Sequence, residues 1–379
     1  MDIRRKRRGL TLPILFISAV IAATAVAAEP PPPTSFLISG EVYDNTGEPA
    51  NNPNVAIRNE NTGEVFIGET NEGSNYYPVS LSSDNVSAGG VLHFNASNDN
   101  VTEFDHAVTV DEINNGGFVQ QIAILHPPAP MPDLLVTAIN AYHNNTDCPA
   151  WFNLSNEIDV TVKNAGNAPA NESEGGGRRT EISGTAGVIR GPAGDECTMQ
   201  DGTFTCEGPE ETFNKPLFVG WNLISLPLTA TDMKVANIID ASLSGSYDAL
   251  HKYDISTHSF VPLSSTDTMA NGAGYFINIT APDTWTYSGS AYTTMNEGLS
   301  EGLNMVGWLN CSKDIVNDNA LSSLAGSYYY AARWNATSQR YETYNPVAPG
   351  EFNDFTMMER GEGYFISAEA GCPALTKNC

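Results

Sequence analysis

Gly220-Trp221-Asn222-Leu223-Ile224-Ser225 and Gly302-Leu303-Asn304-Met305-Val306-Gly307 are two versions of one hexapeptide. Each is followed by a matching block, Leu243-Ser244-Gly245-Ser246-Tyr247 and Leu324-Ala325-Gly326-Ser327-Tyr328. Each copy closes on a glycine pair and Tyr-Phe-Ile, at Gly272 to Ile277 and Gly361 to Ile366. Three blocks recurring in one order mark a duplicated module. We place the copies at residues 213–289 and 297–379. Each copy predicts an apolar strand, a short helix (235–243; 319–324), two aromatic strands and a final Tyr-Phe-Ile strand.

The chain opens with Arg4-Arg5-Lys6-Arg7-Arg8, an apolar run from Leu10 to Ala28, and small residues before Glu29. Charged, apolar and small-residue regions in that order predict an export signal over residues 1–28. The alternative is an uncleaved anchor, because the run approaches the ~20 residues that span a bilayer. Contact with a membrane is expected only through that segment.

The 379 residues hold 44 acidic and 18 basic side chains, a net charge of -26. Residues 34–126 carry 13 acidic side chains and a single basic one, Arg58. A phosphate backbone is neutralised by Lys and Arg, so nucleic acid is excluded as a partner. The acidity predicts a solvated surface and repulsion between like-charged neighbours.

The six cysteines include no C-x-x-C pair, which argues against a zinc ribbon. An exported chain with an even cysteine count predicts disulfides. Cys197 and Cys206 flank Asp201-Gly202, a hairpin signal that sets them opposite each other. Cys148, Cys311, Cys372 and Cys379 permit three pairings, of which we expect Cys311 with Cys372. Asn-x-Ser/Thr acceptors stand at Asn85, Asn95, Asn100, Asn144, Asn153, Asn171, Asn278, Asn310 and Asn335, and predict a glycosylated surface.

Proline-rich stretches at 29–34 and 127–132 read as a stiff spacer and a linker. Between them, short alternating apolar runs separated by Asp44-Asn45-Thr46-Gly47 and Asn61-Thr62-Gly63 predict a β-sandwich over 35–126. Ile38-Ser39-Gly40-Glu41-Val42, Gly47-Glu48-Pro49 and Val55-Ala56-Ile57 resemble the carboxypeptidase-regulatory-like family, in a version common in exported archaeal proteins. The resemblance implies a transthyretin-like spacer or adhesive module without a peptidase site. Pro132 to Ile139 and Asn156 to Ala168 resemble the first strands of the CARDB family, an immunoglobulin-like adhesion module. That likeness fails after about 35 residues, so 133–212 reads as a partial or atypical module. The repeat pair resembles a tandem module at the ends of archaeal and bacterial surface proteins.

Catalytic chemistry has no visible carrier. The six histidines are scattered, and neither H-E-x-x-H nor G-x-S-x-G occurs. We expect no catalytic residues, no metal ligands and no cofactor. Aromatics concentrate in the second repeat at Tyr328-Tyr329-Tyr330, Trp334, Tyr341 and Tyr344. Such side chains either fill a thin core or, exposed in a row, stack on sugar rings. Their counterparts Tyr253 and Phe260 in the first repeat favour the core, while Trp334, Tyr341 and Tyr344 are the candidates for stacking.

The reading is a mainly β, multidomain chain: transthyretin- and Ig-like sandwich modules, then two tandem β-rich repeats, each with a short helix. Its expected role is non-enzymatic, in adhesion, spacing or scaffolding at the cell surface, with other surface proteins or glycans as partners. The alternative is a glycan-binding protein that uses the aromatics of the repeats.

Overall fold

A computed structural model describes residues 30–98, 100–124 and 210–379, and the backbone of the strands at 189–190, 196–200 and 203–207. The segments 30–124 and 210–379 belong to one compact unit, and the three strands between them to a second. Residues 1–28, expected as an export signal, the expected linker at 127–132, the stretch that resembles CARDB, Cys148, Asn144, Asn153 and Asn171 lie outside the described residues.

The chain is mainly β. Its N-terminal part contains β1 (Ser35–Tyr43), β2 (Asn54–Asn59), β3 (Val65–Ile67), β4 (Tyr76–Ser82), β5 (Val91–Ser97), β6 (Val101–Ala107), α1 (Val110–Asn115), β7 (Gly117–Val119) and β8 (Ile122–Ala123). One sheet runs β4-β1-β7, with β8 also on β1, and the other runs β3-β2-β5-β6. β1 is antiparallel to β4 and parallel to β7 and β8. A parallel return needs a crossover, and α1 lies on the way from β6 to β7. It begins at a Thr109–Glu112 capping box and stops at Gly116 in the left-handed region. Alternate residues such as Val55, Ile57, Leu92, Phe94 and Ala96 fill the core between the sheets. β1 breaks the alternation, with six consecutive buried residues from Ser35 to Gly40. Its outer face is covered as well.

In the second unit, β9 (Ile189–Arg190), β10 (Glu196–Gln200) and β11 (Thr203–Glu207) form a small sheet. The register sets Cys197 opposite Cys206, the placement that the expected bridge requires.

The first repeat comprises β12 (Glu211–Leu217), β13 (Gly220–Ser225), β14 (Leu228–Thr229), a short helical segment (Ala236–Asp240) continued by α2 (Ala241–Leu243), β15 (Tyr247–Asp254), β16 (Ser259–Pro262), β17 (Gly274–Ile279) and β18 (Asp283–Ala291). The second comprises β19 (Thr294–Glu297), β20 (Gly302–Gly307), β21 (Lys313–Asp314), a helical turn (Ser322–Leu324), β22 (Tyr328–Asn335), β23 (Arg340–Tyr344), β24 (Met357–Met358), β25 (Gly363–Ala368) and β26 (Leu375–Asn378). Their main sheets have the same order, β13-β17-β15-β16 and β20-β25-β22-β23. In each, the strand before the sheet pairs with the strand after it, β12 with β18 and β19 with β26.

The shared residues do the same work in both copies. The Asn222 side chain accepts from the Phe218 N–H and donates to the Phe218 and Gly220 carbonyls. Asn304 repeats this with Ser300 and Gly302. That closed turn needs Gly220 and Gly302, whose φ angles are 93° and 95°. The hydroxyl of Tyr275 accepts from the Ala270 N–H and that of Tyr364 from the Glu359 N–H, at 2.8 and 2.6 Å. Both copies also carry a β-bulge at one place, at Tyr247/Ala249 and Tyr328/Tyr330.

The copies pack across a pseudo-twofold axis. Ile224 bridges Glu362, and Val306 bridges Ala273. The Ser225 N–H donates to the Gly361 carbonyl at 3.1 Å, and the equivalent Gly307 N–H to the Gly272 carbonyl at 2.7 Å. Near the axis the equivalent strands meet, and a Cβ on Gly307 would stand 2.5 Å from the Ala273 carbonyl oxygen and 2.8 Å from the Ser225 Cβ. Each repeat has its own core, and a third, aromatic core joins them.

Leu37 of β1 belongs to that third core, so the N-terminal sandwich covers the second repeat. The Tyr330 hydroxyl donates to the Gly116 carbonyl at 2.7 Å, with the Ser35 carbonyl 3.1 Å away. The Ser367 hydroxyl donates to the Asn115 carbonyl at 2.6 Å, and the Asn345 amide to the Tyr76 hydroxyl at 2.9 Å. Tyr76 meets Phe352 edge-on.

One disulfide differs from expectation. Cys311 bonds to Cys379, with the Cα atoms 6.0 Å apart, and Cys372 is a free thiol. The pairing of β19 with β26 carries the C-terminus back across the repeat. There the Cys379 N–H donates to the Thr293 carbonyl and the Asn310 N–H to the Tyr292 carbonyl, which brings Cys379 beside Cys311. Cys372 instead closes a turn onto Glu369.

Candidate functional site

The aromatic candidates fall mainly in the core. Tyr341 and Tyr344 are buried, at 9% and 7% exposure, and neither presents a ring face to a sugar. Tyr344 packs against Phe355 inside the second repeat. Tyr341 meets Trp334 and Phe365 between the repeats, where Phe276 and Phe365 approach to 6.5 Å. Burial pushes the Tyr341 hydroxyl well above the ordinary tyrosine range. Trp334 is half-buried, its indole N–H donating to the Trp221 carbonyl at 2.9 Å. Of the three, Trp334 is the most exposed to a cleft; it lines two, and Tyr341 also lines the second of them.

The acceptor asparagines divide by burial. Asn278 is 7% exposed, and its amide donates to Asp248 at 2.9 Å. Asn278 is thus the least exposed of the described acceptors, and a glycan there would have to displace that hydrogen bond. Asn85, Asn95, Asn100, Asn310 and Asn335 are half-buried. Asn95 donates to Glu103, Asn310 to Glu211 and Asn335 to Glu342. Asn100 sits in the turn between β5 and β6.

Trp334 forms part of a cleft of about 370 Å³ between the two repeats. β12 contributes Lys215, the β22–β23 hairpin contributes Arg333 and Glu342, and the turn before β25 contributes Arg360 and Glu362. Lys215 pairs with Glu362 at 2.5 Å and Arg333 with Glu342 at 2.6 Å. All four of these side chains are largely shielded, with exposures from 13% to 27%. Arg360 lies over the Phe213 ring and donates to Glu211 at 3.1 Å, while its Nε atom is buried without a partner. Burial alone would raise the Glu342 carboxyl; hydrogen bonds from Asn335 and Arg333, with the Arg333 charge, outweigh it and hold the pKa below the ordinary glutamate value.

Neither a scan of protein-family models nor a search of curated proteins gives a match to this chain.

The cleft was missed in the sequence because its residues are far apart there. One signal was nonetheless present. Aligned on their glycines, the copies read Ala270-Asn271-Gly272-Ala273 and Glu359-Arg360-Gly361-Glu362. Across the aromatic hairpins, Lys252 faces Val261 where Arg333 faces Glu342. Glu342, Glu359, Arg360 and Glu362 are charged in the second copy only, whereas Arg333 has Lys252 as its counterpart and Lys215 comes from the first copy.

Two further clefts flank the docked sandwich. One, of about 560 Å³, lies where Trp334, Arg340 and Asp354 meet Glu69 and Leu81. The other, about 240 Å³ and largely apolar, has Val119, Tyr329 and Val347 on its rim. Among the described residues, no group of three or more His, Cys, Asp or Glu is placed to hold a metal ion.

Proposed function

We propose that this is a non-enzymatic, exported protein of the cell surface, acting in adhesion, spacing or scaffolding. The observation that carries the reading is the fusion of modules into one block. A duplicated repeat is joined across a pseudo-twofold aromatic core, and an N-terminal sandwich is fixed to it by buried hydrogen bonds from Tyr330 and Asn345. Such a block suits a protein that transmits force and holds a fixed spacing. The leader-like residues 1–28, the acidic surface and the disulfide support an extracellular setting. The likeness of residues 35–126 and 133–168 to spacer and adhesion families points the same way.

The test is fractionation of native cells followed by intact-mass and thiol analysis. The expected product is an envelope-associated chain beginning near Glu29, with Cys311 and Cys379 oxidised. A full-length, reduced chain in the cytoplasm overturns the reading.

A further inference from the structure

We propose that the cleft between the repeats is a binding site for a neutral, polyhydroxylated ligand: a sugar unit of a glycan. Duplication supplies an internal control. Residues that both copies keep are those the shared fold requires, and charged residues that only one copy carries are open to another role. Glycines, the turn-closing asparagines and the Tyr-Phe-Ile strands are of the first kind. The cleft's Glu359, Arg360, Glu362 and Glu342 are of the second, since the first copy has Ala270, Asn271, Ala273 and Val261 in their places.

Stability does not account for the charges either. Shielded ion pairs return little net stability, because desolvation offsets attraction. Their chemistry suits hydroxyl groups. A sugar hydroxyl both donates and accepts, so it needs carboxylates and guanidinium or ammonium groups side by side. Arg333 with Glu342 and Lys215 with Glu362 provide that arrangement on facing walls. Arg360 is 34% exposed and makes one side-chain hydrogen bond, to Glu211, so its guanidinium has N–H groups to offer a ligand in the cleft. Trp334 adds an aromatic wall. The three cations face at least three carboxylates, and the whole chain has a net charge of -26, so an anionic ligand is disfavoured.

This site gives the adhesive reading a partner class and rests on that reading only for where the glycan is met. Binding by the purified protein is independent of export, so either idea can fail alone. The probes are the methyl glycosides of mannose, glucose, galactose and N-acetylglucosamine, with glucuronate as the charged comparison. Saturation-transfer NMR and calorimetry on the full-length protein read the binding. Dissociation constants in the millimolar range are expected for single sugars.

Thr337 is exposed in the turn at the mouth of the cleft, and Ser256 is its counterpart in the first repeat. Thr337→Trp should weaken binding at least tenfold, and Ser256→Trp should leave it unchanged. Glu359→Gln, nearly isosteric, should weaken it several-fold with thermal stability retained. Three outcomes overturn the proposal: no neutral glycoside binds, glucuronate alone binds, or the two tryptophan variants bind alike.

Discussion

At the scale of single residues, the pseudo-twofold axis explains the one mismatch in the repeated hexapeptides. Ser225 and Gly307 are equivalent, yet they face each other, and their two Cβ atoms cannot both be accommodated. One copy keeps a side chain and uses it: the Ser225 hydroxyl donates to the Glu362 carbonyl at 2.8 Å and accepts from the Trp308 N–H at 3.0 Å. The other copy must be glycine. Gly307→Ala is therefore expected to destabilise the protein by about 1–3 kcal/mol, the usual cost of overfilling a packed site. Ser225→Gly in the same chain should recover part of that loss, although the contact with the Ala273 carbonyl remains. Denaturant unfolding of the two variants checks this, and an additive double variant would show that the positions do not meet. The glycines themselves were legible in the sequence as repeat markers. Their meaning was not, because only the packed dimer-like arrangement shows that two equivalent positions touch.

At the scale of elements, the order of strands within each repeat was readable from alternation and from the spacing of the glycine blocks. The closure of each repeat was not. β19 and β26 contain four residues each, with Thr294 opposite Asn378. Strands that short carry little pattern, and they lie at opposite ends of the repeat. The cysteine pairing depends on this closure. Cys372 looked like the partner of Cys311 because it follows the final apolar strand, but the chain turns at Glu369 and continues to Cys379. Closing a loop with a sequence separation of 68 should stabilise the fold by about 2–4 kcal/mol, mainly through the unfolded chain. Cys379→Ser is expected to lower the melting temperature clearly, and Cys372→Ser to change it little. Peptide mapping without reduction should recover Cys311 linked to Cys379. A fragment linking Cys311 to Cys372 would contradict the structure.

At the scale of the whole molecule, nothing in the sequence announces that the sandwich at 35–126 is fixed to the second repeat. The contact is made by isolated side chains, Leu37, Tyr330, Asn345 and Ser367, with no periodicity to announce them. Of these, the Tyr330 hydroxyl is the most informative to remove. It is fully buried and satisfies a carbonyl from the sandwich, so Tyr330→Phe should cost about 1–3 kcal/mol through an unpaired polar group. The cost should depend on pH. Burial raises the Tyr330 hydroxyl above the ordinary tyrosine value. A group raised in the folded state contributes fully below its unfolded pKa, about 10 for tyrosine, and loses that contribution as pH rises toward the folded value. The wild-type protein has this contribution to lose, and the phenylalanine variant does not. Unfolding measured at pH 7, 10 and 11.5 should thus show a constant gap between the two up to about pH 10 and a narrowing gap above it. A gap of unchanged size at pH 11.5 would mean that Tyr330 is hydrated in solution, and that the sandwich does not stay seated on the second repeat.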